Sequence, residues 1–190
     1  MAQSNPANVI KFLHVIENLK RTKRTGWLDN GIKQAESISD HMHRMGIMAM
    51  LVSDPSINRE KCIKMAIVHD LAEAVVGDIT PHAGVSKEEK FTLEKNAMNS
   101  FIKTLGDTEM IKEIASLWHE YEDAKTSEAL FVKDLDKFEM IVQAVEYEKS
   151  DKKKLQGFFD STKDKFQHPV VKAWAEELYK EREEILKTIE

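Results

Sequence analysis

The feature that most limits the possible folds is an apolar repeat of helical period that runs through nearly the whole chain. In residues 8–20, Val9, Phe12, Ile16 and Leu19 recur at intervals of three and four, which places them on one face of a helix. Gly and Pro, which mark the tight turns of all-β folds, number only 7 and 4. We therefore expect an all-α fold.

The repeat and the capping signals together predict where the helices begin and end. Ser37 opens a Ser-x-x-Asp pattern and Ser86 opens a Ser-x-x-Glu pattern, both typical of helix N-termini. Gly77 and Gly106 are expected to end helices. The expected helices lie near 8–20, 37–54, 59–75, 86–106, 108–122, 126–149, a shorter one within 151–166, and 169–188, with irregular connections at 21–35 and 77–85.

Composition favours one globular domain that acts on a small molecule. The chain has 190 residues, 42% apolar and 32% charged, enough for one sizeable core, so we expect residues 1–190 to form a single domain. The formal net charge of −5 offers no general attraction to a nucleic-acid backbone, which disfavours a polymer substrate. A small anionic substrate is still compatible with this charge, since one arginine or metal ion close to it can outweigh the net negative charge of the whole protein.

The sequence also favours a cytoplasmic location. Cys62 is the only cysteine, so no intramolecular disulfide can form, which fits a reducing compartment. The first 20 residues lack the long apolar core of a secretory signal, and the longest apolar run, near 45–52, is far short of a membrane span. We expect neither secretion nor membrane insertion.

A His-Asp pair carries the strongest chemical signal. His69 and Asp70 lie in IVHDLAE, within the helix expected at 59–75, with Glu73 on the same side and Asp78 just after the glycine break. Neutral imidazole and carboxylate are both good ligands for a divalent ion. An isolated His-Asp pair is more often hydrogen-bonded in a core, so the pattern gains weight only with ligands elsewhere.

Two other helices offer such ligands. His41 lies on the apolar face of its helix, although a histidine there is usually a satisfied core residue. Asp136 lies in FVKDLDKFEMIVQAVEY, which is apolar around most of its circumference, and a carboxylate buried there needs a cation. Periodicity leaves Asp134 as an equal alternative. His43, His82 and His119 are expected not to be ligands.

The order of these motifs resembles the HD-domain phosphohydrolases, and more closely their 5′-deoxynucleotidase branch, over about residues 19–147. The matching segments are RTGW, ESISDHMHRM, IVHDLAEAVVGDITP, LWHEYE and FVKDLDKFEM. The dipeptide HD alone is weak evidence for this family. The combination of HDLAE followed by GDITP, with SxxDH upstream and LDKxEM downstream, is specific for it. One departure is His119, where an acidic residue is expected.

The resemblance implies a single-domain HD helical bundle around a central divalent metal ion. The implied ligands are His41, His69, Asp70 and Asp136, with the family register selecting Asp136 over Asp134. The identity of the metal stays open among Mn, Co, Fe, Zn and Mg. A homodimer is also implied.

The resemblance further assigns catalytic and substrate-binding residues. Glu73 would orient or deprotonate water, and Asp78 would contact the sugar hydroxyl, assist Glu73, or join it in holding a second ion. Arg24 would clamp the phosphate, and Trp27 would pack near the nucleotide pocket. The alternatives are that Arg24 belongs to a solvated basic run and that Trp27 is a core residue.

The expected activity is hydrolysis of deoxynucleoside 5′-monophosphates to deoxynucleoside and phosphate. A nucleotide pyrophosphohydrolase or a cyclic-nucleotide phosphodiesterase on the same scaffold is the alternative enzyme. A catalytically silent helical binding protein is the alternative from another class.

Overall fold

Ten helices make up most of the part of the chain that the computed structural model describes, residues 4–189. They are α1 (Pro6–Arg21), α2 (Thr25–Asp29), α3 (Ile38–Met50), α4 (Arg59–Val68), α5 (Glu73–Val76), α6 (Lys87–Leu105), α7 (Glu109–Asp123), α8 (Ser127–Asp151), α9 (Gln156–Thr162) and α10 (Pro169–Ile189). The only β pairing among these residues is one antiparallel bridge between Lys23 and Ser37. The expected all-α class is confirmed.

Local signals in the sequence determine several helix ends. The Ser37 hydroxyl accepts a hydrogen bond from the Asp40 backbone N–H, and the Asp40 carboxylate accepts one from the Ser37 backbone N–H. Ser86 and Glu89 form the same capping box at the start of α6. Gly77 ends α5 with a φ of 77°, a left-handed conformation that favours glycine.

The helix expected over 59–75 is interrupted, and that prediction was wrong. Helix α4 ends at Val68, and the next residues form tight turns before α5 begins at Glu73. The backbone hydrogen bonds there span three residues rather than four: the Leu71 N–H donates to the Val68 carbonyl and the Glu73 N–H to the Asp70 carbonyl, both at 3.0 Å. His69 and Asp70 therefore lie in a turn after the helix.

The connection expected to be irregular at 21–35 contains the short helix α2, a second difference from the prediction. Just before α2, the chain pairs with the start of α3: the Arg24 N–H donates to the Glu36 carbonyl and the Ile38 N–H to the Thr22 carbonyl, each at 3.1 Å. This pairing holds Arg24 beside the first turn of α3.

Two apolar clusters form the core. One includes residues of α3, α4, α8 and α10, such as Met45, Met65 and Leu135, and the other includes residues of α1, α3, α6 and α7, such as Ile38 and Phe101. Since α3 contributes to both, its residue His41 lies where the two clusters meet. The helices thus form one bundle, with polar side chains at its centre.

The C-terminal helix is held to the bundle by a buried ion pair. Arg182 of α10 donates from Nε and Nη2 to the Glu148 carboxylate of α8 at 2.7 and 2.9 Å, and Glu148 is fully buried. The same carboxylate accepts the Leu155 backbone N–H at 2.7 Å. Among the described helices, none is long and apolar enough to cross a membrane.

Candidate metal centre

Four of the predicted ligands come together from three elements. The rings of His41 on α3 and His69 after α4 lie 5.4 Å apart. His41 Nε2 lies 3.2 Å from Asp136 Oδ1 on α8 and 3.9 Å from Asp70 Oδ2, and His69 Nε2 lies 3.2 Å from Asp70 Oδ2. His41, His69 and Asp70 each have a ligand atom within 4.8 Å of the others.

The other ring nitrogen of each histidine is already occupied. His69 Nδ1 lies 2.9 Å from the Ala66 carbonyl oxygen, which can only accept, so the proton of a neutral His69 resides on Nδ1. His41 Nδ1 lies 2.5 Å from Glu139 Oε2, and Glu139 also accepts from Arg44 Nε at 2.8 Å. Both contacts turn the Nε2 atom of the ring toward the two aspartates, the orientation that metal-binding histidines use.

Unsatisfied buried atoms supply the test of whether a cation fits. The Nε2 atoms of His41 and His69 are buried and have no hydrogen-bond partner of acceptable geometry, even though carboxylate oxygens lie nearby. A buried polar atom without a partner is costly, so such a pair of atoms calls for an explanation. A divalent ion between two nitrogens and two carboxylates satisfies all of them at once.

The electrostatics of the site also favour a positive charge. Burial and Arg24 lower the pKa of His41, but Glu139 and Asp136 outweigh them and raise it to about 10. Burial raises the pKa of Asp136, but His41, His69 and Arg24 outweigh it and hold that pKa well below its ordinary value. In the absence of another cation, His41 is thus the positively charged imidazolium.

Asp136 and Asp134 have different surroundings, although sequence periodicity could not separate them. Asp136 Oδ2 accepts from the Tyr121 hydroxyl at 2.7 Å, and its Oδ1 faces His41. Asp134 Oδ2 instead accepts the backbone N–H groups of Gln167 and His168 at 2.6 and 2.7 Å, just before α10. The structure therefore brings Asp136 to the cluster and leaves Asp134 anchoring the C-terminal helix.

Glu73 is a buried carboxyl at the start of α5. Its side chain is only 3% exposed, and Oε2 is buried without a hydrogen-bond partner. Burial raises its pKa well above the ordinary value, and Asp70 and Asp78 raise it further. A carboxyl of raised pKa beside the cluster has the properties of a general base.

Arg24 and Asp78 flank the cluster on the side of α2. Arg24 Nη1 lies 3.3 Å from Asp70 Oδ2. The Asp78 carboxylate accepts the backbone N–H of Thr25 at 2.5 Å, and the Thr25 hydroxyl donates to the Asp78 carbonyl at 2.8 Å. Asp78 therefore fixes the loop after Gly77 against the start of α2.

Trp27, which was predicted to pack near the nucleotide pocket, is a buried residue in the structure. It is 1% exposed, and its ring contacts those of Tyr147 and Phe158 with centroids 5.2 and 4.3 Å away. Its indole N–H donates to Glu36 Oε1 at 2.9 Å. The side chain is a core residue that holds α2 in place.

Sequence reasoning missed three residues beside the site: Glu139, Tyr121 and Lys90. Glu139 holds His41, Tyr121 holds Asp136, and Lys90 of α6 lies 3.5 Å from Glu73 Oε1. Glu139 had a usable signal, because it follows Asp136 by one helical turn and therefore lies on the same side of α8. The predicted non-ligands His43, His82 and His119 are exposed.

Comparison with known proteins places the chain among similar sequences and structures. A family model described as "HD domain" matches residues 16–178. The chain is 50% identical to 5′-deoxynucleotidase HDDC2 of Dictyostelium discoideum over 93% of this chain and 99% of that protein. It is also 50% identical to 5′-deoxynucleotidase hdd1 of Schizosaccharomyces pombe over 97% of this chain and 95% of that protein.

A solved structure supports the same relationship at the level of the fold. The HD domain-containing protein YGK1 superimposes with a TM-score of 0.71 at 31% sequence identity, over 97% of this chain and 90% of that chain. The similarity thus extends over nearly the entire bundle.

Proposed function

This chain belongs to the HD domain family, and from that premise we propose that it is a divalent-metal-dependent phosphomonoesterase that hydrolyses deoxynucleoside 5′-monophosphates. The products are a deoxynucleoside and phosphate. The relatives named 5′-deoxynucleotidase support this substrate class, because the alignments cover at least 93% of this chain at 50% identity.

One structural observation carries the proposal: the buried, unpartnered Nε2 atoms of His41 and His69 face the carboxylates of Asp70 and Asp136. These four residues would hold the ion. When bound, a divalent ion lowers the pKa of a coordinated water and offsets the negative charge of the phosphoryl group. Mn, Co, Fe, Zn and Mg all suit a mixed nitrogen and oxygen donor set.

The residues around the four ligands have separate tasks. Glu73 accepts the proton of the attacking water at its free Oε2, and burial beside Asp70 and Asp78 raises the pKa of this carboxyl, which strengthens it as a proton acceptor. Arg24 binds a phosphate oxygen, since a guanidinium has five donors and Asp70 holds its Nη1 toward the cluster. Asp78, whose carboxylate accepts the Thr25 backbone N–H, would contact the sugar hydroxyl, assist Glu73, or join Glu73 in holding a second ion.

Phosphate release tests the proposal directly. Purified protein is incubated with Mn²⁺, Co²⁺ or Mg²⁺ and a panel of deoxynucleoside 5′-monophosphates, 3′-monophosphates, triphosphates and cyclic diesters. We expect release from the 5′-monophosphates alone, and none in the presence of a chelator. Preferential cleavage of a triphosphate or a cyclic diester would identify a different phosphohydrolase, and cleavage of none would support a binding protein.

The composition of the chain bears on where and in what state the enzyme works. We propose that residues 1–190 form one domain that acts in the cytoplasm as a homodimer on small nucleotides rather than on nucleic-acid polymers. The single cysteine, which is free and buried, and the net charge of −5 agree with this context. Light scattering would measure the dimer, and a binding assay with labelled DNA would test the exclusion of polymers.

A further inference from the structure

Lys90 lies between Glu73 and the loop that carries Asp78, and neither helical periodicity nor the motifs single it out. It belongs to α6, and its side chain is 34% exposed. Its Nζ lies 3.1 Å from the Ile79 carbonyl oxygen, 3.4 Å from Glu94 Oε1 and 3.5 Å from Glu73 Oε1. The lysine thus connects α6 to both segments that flank the metal ligands.

The number of acceptors indicates what this ammonium group does. A lysine has three N–H donors, and three acceptors surround Nζ within hydrogen-bonding distance. Nζ donates to the Ile79 carbonyl and to Glu73 Oε1 and forms an ion pair with Glu94, so these protein groups compete with a substrate phosphate for the ammonium group. Its contacts instead fix the position of a carboxylate and of a backbone carbonyl.

The two oxygens of Glu73 are distinguished by this contact. Oε1 faces Lys90, whereas Oε2 is buried without a partner. A buried carboxylate free to rotate about its last torsion could not keep one oxygen directed at a water molecule. Lys90 restrains that rotation from one side and leaves Oε2 as the atom able to accept a proton.

We propose that Lys90 is a positioning residue for the hydrolytic reaction, which holds Glu73 and the 77–80 loop in the arrangement that the proton transfer requires. The inference rests on the proposed function, because it assigns Lys90 a role through the proposed base. It adds a residue on α6 to a site otherwise built from α3, α5, α8, the segment before α2, the turn after α4 and the loop after Gly77.

Kinetics of three variants test the role. Lys90→Gln is expected to lower kcat by about 10–100-fold, less than the loss of the base itself, with a much smaller change in KM. Lys90→Arg keeps the cation and is expected to recover most of that loss. Lys95→Gln removes an exposed lysine of the same helix, whose Nζ lies 6.0 Å from the Phe91 ring centroid, and is the matched control with unchanged rates.

A double-mutant cycle separates positioning from general destabilisation. If Lys90 acts through Glu73, then adding Lys90→Gln to Glu73→Gln lowers kcat no further, because the interaction is already lost. Multiplicative losses in the double variant would overturn the proposal. A raised KM with unchanged kcat in Lys90→Gln would overturn it as well, since that pattern indicates a substrate ligand.

A crystal structure of Lys90→Gln keeps this inference separate from the substrate assignment. We expect the Glu73 carboxylate to rotate or become disordered in that variant and to stay in place in Lys95→Gln. An unmoved Glu73 in Lys90→Gln would overturn the positioning role even if the enzyme hydrolyses deoxynucleotides as proposed. Absence of turnover in the unmodified protein would instead refute the function and leave this structural test intact.

Discussion

At the residue scale, the two imidazoles derive their ability to bind a cation from what their Nδ1 atoms contact. The Ala66 carbonyl contacts Nδ1 of His69, and the Glu139 carboxylate contacts Nδ1 of His41. The Nε2 atoms of both rings therefore face the aspartates. Arg44 in turn holds Glu139 and also contacts Glu146 on the surface. The orientation of the ligands thus depends on residues that do not bind the ion.

Glu139 gives the sharpest test of that dependence. Glu139→Gln keeps the shape of the side chain but removes the charge that supports His41, and we expect metal affinity to fall by about 10–100-fold. Glu146→Gln is the control, because Glu146 contacts Arg44 and is 52% exposed. Calorimetric titration with Mn²⁺ measures both, and an unchanged affinity in folded Glu139→Gln would show that the contact does not support the site.

Substitutions of the two aspartates of α8 are expected to have different effects on metal binding and on stability. Asp136→Asn should lose most of its metal affinity and keep its melting temperature within a few degrees. Asp134→Asn should keep the metal but lose about 1 kcal/mol of unfolding free energy, since Asp134 accepts the N–H groups that precede α10. Metal analysis and thermal melts of both variants measure this, and the reverse pattern would reassign the ligand.

Protons should compete with the metal at His41. The pKa of His41 is raised to about 10, so in the metal-free protein the ring is the positively charged imidazolium, protonated on both nitrogens, throughout the range from pH 6 to 8. Binding must release that proton, and apparent affinity should therefore rise about tenfold per pH unit over this range. Titrations in buffers of different ionisation enthalpy count the protons released, and a flat profile would contradict this view of His41.

At the scale of elements, the sequence predicted helices where the signals are local and failed where they are not. Apolar spacing and the Ser37 and Ser86 boxes are contained within a few residues, so these helices were predicted correctly. The break after Val68 was missed because Leu71, Ala72 and Ala74 continue the apolar pattern. Only tertiary packing, which no local pattern encodes, turns His69 and Asp70 toward α3 and α8.

The C-terminal helix allows a test at the level of one element, because a buried ion pair contributes to holding it against the bundle. Arg182→Leu leaves the fully buried Glu148 carboxylate without its cation, which should cost about 3–5 kcal/mol of unfolding free energy. Lys180→Ala, which breaks an exposed pair with Glu177 in the same helix, should cost less than about 1 kcal/mol. Urea denaturation compares them, and equal losses would mean that the buried pair does not hold α10.

At the scale of the whole molecule, the bundle brings together ligands that are 95 residues apart in the chain, from His41 to Asp136. The ligand set was predicted from motif order and family resemblance, and in the structure His41, His69 and Asp70 cluster together while Asp136 Oδ1 lies 3.2 Å from His41 Nε2. The contacts that orient them were not predicted, because Glu139, Tyr121 and Lys90 depend on how separate helices pack. The sequence also did not predict that Trp27 lies in the core, because a lone tryptophan is compatible both with a core position and with a position near the nucleotide pocket.

We expect one divalent ion to bind among His41, His69, Asp70 and Asp136. An anomalous difference map from crystals grown with Mn²⁺ would locate that ion. We predict a strong peak about 2.0–2.3 Å from the two Nε2 atoms and from one carboxylate oxygen of each aspartate. A map with no peak there, or with its main peak at another cluster of side chains, would contradict the account.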